Sequence, residues 1–195
     1  MPRSVLLALA GGVASGLLYL AIIAGTMGGM LFAYLSQVPL FLVGLSLGLS
    51  PVATAAALAT LIVAGVGGVY SGLVFVATCA GPLFILVRQA LLNRPAPDGS
   101  VVWYPTGHLV AMLAGMAAIG MVAVALLFGG GEEGLRGSVR DGLSRVLEAM
   151  MPPGQDAADR IAFADGVAAI FPGLAGVSWM LMMAVNSSLA QRVLS

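Results

Sequence analysis

The amino-acid sequence predicts an all-α fold: a polytopic membrane helix bundle of six transmembrane helices plus an amphipathic extracytoplasmic helix. Three observations predict it. Apolar residues make up 60% of the 195 residues and charged residues only 8%, with a mean hydropathy of +1.06. Apolar runs recur at about the 20-residue length a helix needs to cross a hydrocarbon core of about 30 Å. The charges gather at the chain ends and in two polar stretches. A soluble domain carries about 25% charged side chains, so eight basic and eight acidic groups cannot coat a soluble globule. Composition therefore excludes a water-soluble enzyme, and equally a disordered chain, which would be poor in apolar residues.

The first span is predicted at 4–24, interrupted by Gly25-Thr26-Met27-Gly28-Gly29. The apolar run continues past Ala8-Leu9-Ala10, so the segment reads as an uncleaved span; a signal h-region would end at its cleavage site. The second span is predicted at 30–49, stopped by Ser50-Pro51, because proline cannot continue a helix. The apolar stretch from Val52 to Arg88 would run about 55 Å as one helix, far beyond the bilayer core. It must fold back, and Gly65-Val66-Gly67-Gly68 is the expected reversal, giving spans near 52–66 and 69–87. Arg88 to Tyr104 has the composition of a turn-rich loop, with Pro95, Pro97 and Asp98-Gly99. Trp103-Tyr104 reads as an interfacial anchor. Pro105 opens the fifth span, 105–128, where its missing N–H costs nothing.

The second polar region, 129–172, holds most of the charges. Residues 132–151 show helical periodicity, with Leu135, Val139, Leu143, Val146, Leu147 and Met150 on one face. Glu132/Arg136 and Asp141/Arg145 are i,i+4 pairs. Such a helix can lie in the headgroup plane. Pro152-Pro153 ends it, a weaker helix over 155–171 follows, and Pro172-Gly173 is expected to break the chain before the last span, 174–193. The whole chain reads as a single membrane domain.

Positive charge selects the orientation. With six spans and both termini cytoplasmic, Arg3, Arg88, Arg94 and Arg192 face the cytoplasm with Asp98, a net of 4 − 1 = +3. The outer side holds Arg136, Arg140, Arg145 and Arg160 against Glu132, Glu133, Asp141, Glu148, Asp156, Asp159 and Asp165, a net of 4 − 7 = −3. A bacterial inner membrane is the expected location. The balance of charge leaves no basic field to hold nucleic acid.

Little chemistry is visible within the spans. No Asp, Glu, Lys or Arg lies in the middle of one, which argues against a proton relay or ion path. No P-loop, HExxH or nucleophile-elbow motif occurs, so no catalytic residue, metal or cofactor is expected and the chain is not read as an enzyme. Ser144 and Arg145 beside Asp141 read as a solvated helix face. His108 reads as an interfacial histidine and Cys79, the single cysteine, as a small packing residue. Ala8, Gly12 and Gly16 form a ridge of small residues on the first span, a candidate partner-docking face.

Neutral polar groups are the remaining signal. Tyr34, Ser36 and Gln37 lie in the outer part of the second span. Pro39 follows and deprives the Leu35 carbonyl of its helical donor. Gln37, about 10 Å into its helix, and Trp179, about 8 Å into the last, share a layer with Tyr34 and Ser178. These four are the candidate ligand-binding residues, whereas Asn186 reads as interhelical glue. Interhelical hydrogen bonding and a ligand pocket both account for such groups.

Two stretches carry a resemblance: Arg88-Gln89-Ala90 through Asp98-Gly99 to Trp103-Tyr104-Pro105-x-Gly107, and Trp179 through Asn186 to Leu189-Ala190-Gln191. With the hydropathy plan they resemble the uncharacterised bacterial YybS-like polytopic inner-membrane family. Its members generally continue with further spans, which implies a truncated or short member here. That family is in turn distantly similar to the S components of energy-coupling-factor transporters. The resemblance implies six spans, cytoplasmic termini and a small-residue ridge that docks to a coupling subunit, loosely matched by Ala8/Gly12/Gly16 and Ala10-xxx-Ala14. It implies a small-solute-binding transport subunit energised by a separate ATPase module. The alternative is a non-catalytic envelope scaffold whose outer amphipathic helix recruits assembly proteins.

Overall fold

The structure is a computed structural model that describes residues 3–96, 100–128, 134–150 and 157–195. It is almost entirely helical: α1 (Arg3–Leu20), α2 (Met27–Tyr34), α3 (Val38–Leu47), α4 (Leu49–Phe75), α5 (Gly81–Ala90), α6 (Thr106–Phe128), α7 (Gly134–Met150) and α8 (Ala157–Leu194), with one short hairpin, β1 (Asn93–Pro95) and β2 (Val101–Trp103). Among the described residues, five helical runs are long and apolar enough to cross a membrane: 3–24, 27–47, 49–90, 106–127 and 162–194. The chain divides into two compact units, one formed by residues 1–113 and 181–195, the other by residues 114–180.

In the first unit, α1 packs along α4, and α3 packs on both. The contact face of α4 carries Val52, Ala55, Ala59 and Val63, all buried, at the three- and four-residue spacing of one helix stripe. Opposite them lie Ala8, Gly12, Ser15 and Gly16 of α1, also buried. A Cβ added to Gly12 would stand 2.5 Å from the Ala55 carbonyl oxygen, so glycine sets how closely the two backbones approach. Tyr19 of α1 meets Phe75 of α4 edge to face, with ring centroids 4.9 Å apart. Large apolar side chains point outward, among them Leu17, Leu61 and Val69. An apolar exterior and a helix–helix contact built of small residues are the packing expected where lipid replaces water.

The turns correct several expected boundaries. After α1 the chain tightens into a 3₁₀ turn, Ala21–Ala24, and reverses through Gly25 at φ 63°. Thr26 then caps α2, its hydroxyl accepting the Gly29 N–H at 3.0 Å. The stop between α3 and α4 is Gly48, at φ 91° and ψ −169°, rather than Ser50-Pro51. Pro51 lies in the first turn of α4, where no intrahelical donor is required of it.

The reversal within 49–90 falls on Gly68, whose φ 84° and ψ 164° lie in a region open almost only to glycine. Ala64 and Gly72 would be about 12 Å apart along a straight helix. Instead, a Cβ on Gly72 would stand 2.7 Å from that of Ala64, so the chain folds back there. Farther on, Gly81 N–H reaches five residues back to the Val76 carbonyl, making a π turn over Val76–Ala80. Pro82 follows immediately.

The polar stretch after α5 is a hairpin, not an irregular loop. Arg94 pairs with Val102, Asn93 with Trp103 and Pro95 with Val101. Asp98-Gly99 lies outside the described residues.

In the second unit, α7 presents Arg140 to Asp165 of α8 at 3.8 Å. Asp141 meets Arg140 at 3.6 Å, not the Arg145 partner expected from spacing. Ala164 and Ala168 are buried on one face of α8. Glu132, Glu133, Met151 and Pro152-Pro153 lie outside the described residues, as do the side chains of Leu135, Val146, Leu147 and Met150. α8 runs unbroken through Pro172, against the expected interruption. One missing N–H removes a single bond from a 38-residue helix, and apolar helices tolerate this where the rest of the ladder is intact.

Candidate functional site

The second membrane-length run is broken between α2 and α3 at residues 35–37. Pro39 is the cause, since it has no N–H to offer the Leu35 carbonyl. The backbone compensates by tightening: Ser36 N–H donates to Ala33 O at 3.3 Å, and Val38 N–H donates to Leu35 O at 3.1 Å. Phe41 N–H to Gln37 O, 2.9 Å, restores the helical ladder. The Val38 N–H that a regular helix would give to Tyr34 is thereby diverted. Asn186 of α8 supplies the Tyr34 carbonyl with a donor, its Nδ2 lying 2.9 Å away. The same nitrogen reaches the Met182 carbonyl at 2.7 Å.

A buried polar layer surrounds this break. Ser36, Gln37 and Asn186 have no exposed surface, nor has Ser15 on α1. Gln37 Nε2 approaches the Met182 sulfur at 3.8 Å, and the Cys79 thiol of the π turn lies beside Gln37. Among the described residues, the Gln37 Oε1, Asn186 Oδ1, Ser36 Oγ and Ser15 Oγ atoms have no hydrogen-bond partner. Two of these atoms are amide oxygens, which only accept, while the hydroxyls can accept or donate. An unsatisfied buried acceptor costs about 1–3 kcal/mol. The layer is therefore short of hydrogen-bond donors. It contains no ionised side chain. Among the described residues no cluster of three or more His, Cys, Asp or Glu could hold a metal ion.

Of the residues expected at a ligand site, Gln37 is in this layer, and Tyr34 contributes its backbone carbonyl. Trp179, half-buried, and Ser178, exposed, belong to the other compact unit. Asn186 forms the interhelical bond expected of it and also presents an unpaired Oδ1 to the layer. Sequence reasoning missed this second role and Met182, and it noted Ser36 among the polar groups without placing it at the site. The signal was present in Ser36-Gln37 two residues ahead of Pro39, which marks polar side chains beside a disrupted ladder.

The small-residue ridge needs a correction. Gly12 and Gly16 are covered by α4 of the same chain, because their absent side chains admit that helix, and Ala8 is buried as well. A partner approaching α1 meets other residues.

Two clefts open elsewhere in the first unit. One, of about 210 Å³, lies among α3, α5, α6 and α8, lined by Phe41, Leu86, Leu113, Met183, Ser187 and Gln191 among others. The other, of about 380 Å³, lies under the hairpin. Neither is lined by Tyr34, Gln37, Ser178 or Trp179. Comparison with protein-family models, with curated proteins and with solved structures finds no match to this chain.

Proposed function

We propose that the chain is a multi-pass protein of a bacterial inner membrane, crossing six times with both termini in the cytoplasm. In this reading it binds a small neutral solute rather than performing catalysis. The Gly68 reversal divides the 49–90 run into two helical arms and supports the sixth crossing. The arginine asymmetry supports the orientation. The observation that carries the binding role is the pair of fully buried, unpartnered amide oxygens, on Gln37 and Asn186, beside a broken helix. Discontinuous helices of this kind form substrate sites in transporters. Uptake would require energy from a separate ATPase or coupling module, as in the S components to which the YybS-like family is distantly similar.

The test is mass spectrometry of small molecules retained by the purified full chain. A donor-bearing solute should accompany the native protein and be lost from Gln37→Met, which keeps length and removes the amide. Circular dichroism should be unchanged. Retention of the same molecule by Gln37→Met, or its absence from the native protein, would count against the reading.

A further inference from the structure

The cleft under the hairpin has a chemistry unlike that of the buried layer. Arg94 enters it from β1 and His108 from the first turns of α6, and Asn93 and Tyr104 add further polar groups. The Tyr104 and His108 rings meet edge to face at 5.8 Å, which ties the hairpin exit to α6. Among the described residues none of those lining it is acidic, and Arg94 makes no ion pair. The cleft therefore offers a guanidinium, whose fork matches phosphate oxygens, together with further hydrogen-bonding side chains and, among the described residues, no carboxylate.

Its rim is apolar. Leu92 is 44% exposed, Val102 39% and Trp103 58%. The hairpin joins the 49–90 run to the 106–127 run, both of membrane-spanning length, which places the cleft at a membrane–water boundary. Aromatic residues concentrate at that depth. A cation above exposed apolar side chains matches one kind of molecule, with phosphate at one end and hydrocarbon at the other.

We propose that this cleft is a binding site for the phosphate headgroup of an anionic phospholipid. Arg94 holds the phosphate, Asn93, Tyr104 and His108 supply hydrogen bonds, and Trp103 and Val102 lie against the glycerol and upper acyl region. The volume of about 380 Å³ falls in the range of small-ligand sites. Basic pockets beside membrane helices take up anionic headgroups in this way.

The chain has two tryptophans, so Trp179→Phe leaves Trp103 as the sole emitter. The full chain, in phosphatidylcholine nanodiscs, is titrated with phosphatidylglycerol while Trp103 emission is recorded. A saturable change is expected with phosphatidylglycerol and none with added phosphatidylcholine. Arg94→Gln should weaken the response about tenfold, consistent with loss of one charge-assisted hydrogen bond, and Arg94→Lys should weaken it less. Inorganic phosphate at millimolar concentration should neither cause the change nor compete. An equal response to both lipids, or an unaltered titration in a folded Arg94→Gln, would overturn the proposal. So would reproduction of the change by inorganic phosphate, which would assign the site to free anions. Should Arg94→Gln fail to fold, the native titration in rising salt decides, since a phosphate–guanidinium contact at an interface must weaken as salt screens it.

Discussion

The amide of Asn186 donates to the carbonyl of Tyr34 at 2.9 Å, across 152 residues of sequence. This bond joins the last helix to the break in the second and satisfies a carbonyl that the diverted Val38 N–H no longer serves. In an apolar environment such a group needs a partner, so the position of α8 and the shape of the break depend on each other.

Asn186→Leu should therefore destabilise the protein by about 1–2 kcal/mol, the upper part of the range for interhelical bonds in bilayers. Reversible unfolding in mixed micelles measures it. Asn186→Asp, which keeps the volume but replaces two N–H donors with a carboxyl that carries at most one O–H, should also destabilise. A neutral result in both would mean the Tyr34 carbonyl is served adequately from elsewhere.

Gly12→Ala should cost about 1–3 kcal/mol, the usual penalty for overpacking. Its new methyl would face the Ala55 carbonyl at 2.5 Å, and backbone cannot rotate away. Gly115→Ala on α6, with nothing within 4 Å, is the control. It should be neutral or slightly stabilising, by up to about 1 kcal/mol. Equal effects at the two sites would contradict the close α1–α4 packing.

The fold-back at Gly68 predicts that Ala64→Cys and Gly72→Cys, combined with Cys79→Ala, form a disulfide under mild oxidation. Intact-mass measurement would register the loss of two hydrogens. Across a straight helix the gap of about 12 Å forbids the bond. Gly68→Val should reduce stability by about 1–3 kcal/mol, because its dihedrals are hostile to side chains. Failure of the pair to cross-link in folded protein would argue for a continuous helix.

Breaking Arg140–Asp165 with Asp165→Asn should change stability by less than about 1 kcal/mol, since both side chains remain 30–39% exposed and solvent screens the pair. The small loss should shrink further in salt. A salt-insensitive loss of several kcal/mol would mean that Asp165 is doing something other than pairing.

The six-crossing orientation predicts that cysteines placed at 98 and 156, in a Cys79→Ala background, react differently with a membrane-impermeant thiol reagent on intact cells. Position 156 should label and position 98 should not. Labelling at 98 would reverse the orientation or alter the number of crossings.

How much could be read without coordinates differs from residue to residue. The Gly68 reversal was legible within a four-residue window, because an apolar run of excessive length must turn and glycine turns most cheaply. The disturbance at Pro39 was legible too, since a missing N–H is written in the residue itself. The repair of that disturbance was not. Expectation left the Leu35 carbonyl unserved, whereas a 3₁₀ adjustment serves it and passes the deficit one residue back to Tyr34. The ridge of Ala8, Gly12 and Gly16 was visible as a stripe, but a stripe of small residues does not say which helix it admits. Pro172 misled because proline's local preference was outweighed by the helical ladder on both sides of it.

Composition and run length by themselves determined that this is a helical protein with several segments able to span a membrane. Those properties follow from transfer free energy, which depends on residue identity and hardly on arrangement. Only the tertiary structure decided that Asn186 reaches Tyr34, that α4 fills the ridge on α1, and that the buried amide oxygens of Gln37 and Asn186 are left without partners. Each of these depends on the rotation and register of helices far apart in sequence. The apolar periodicity that orients a helix in a soluble protein is faint in one that is apolar on every side.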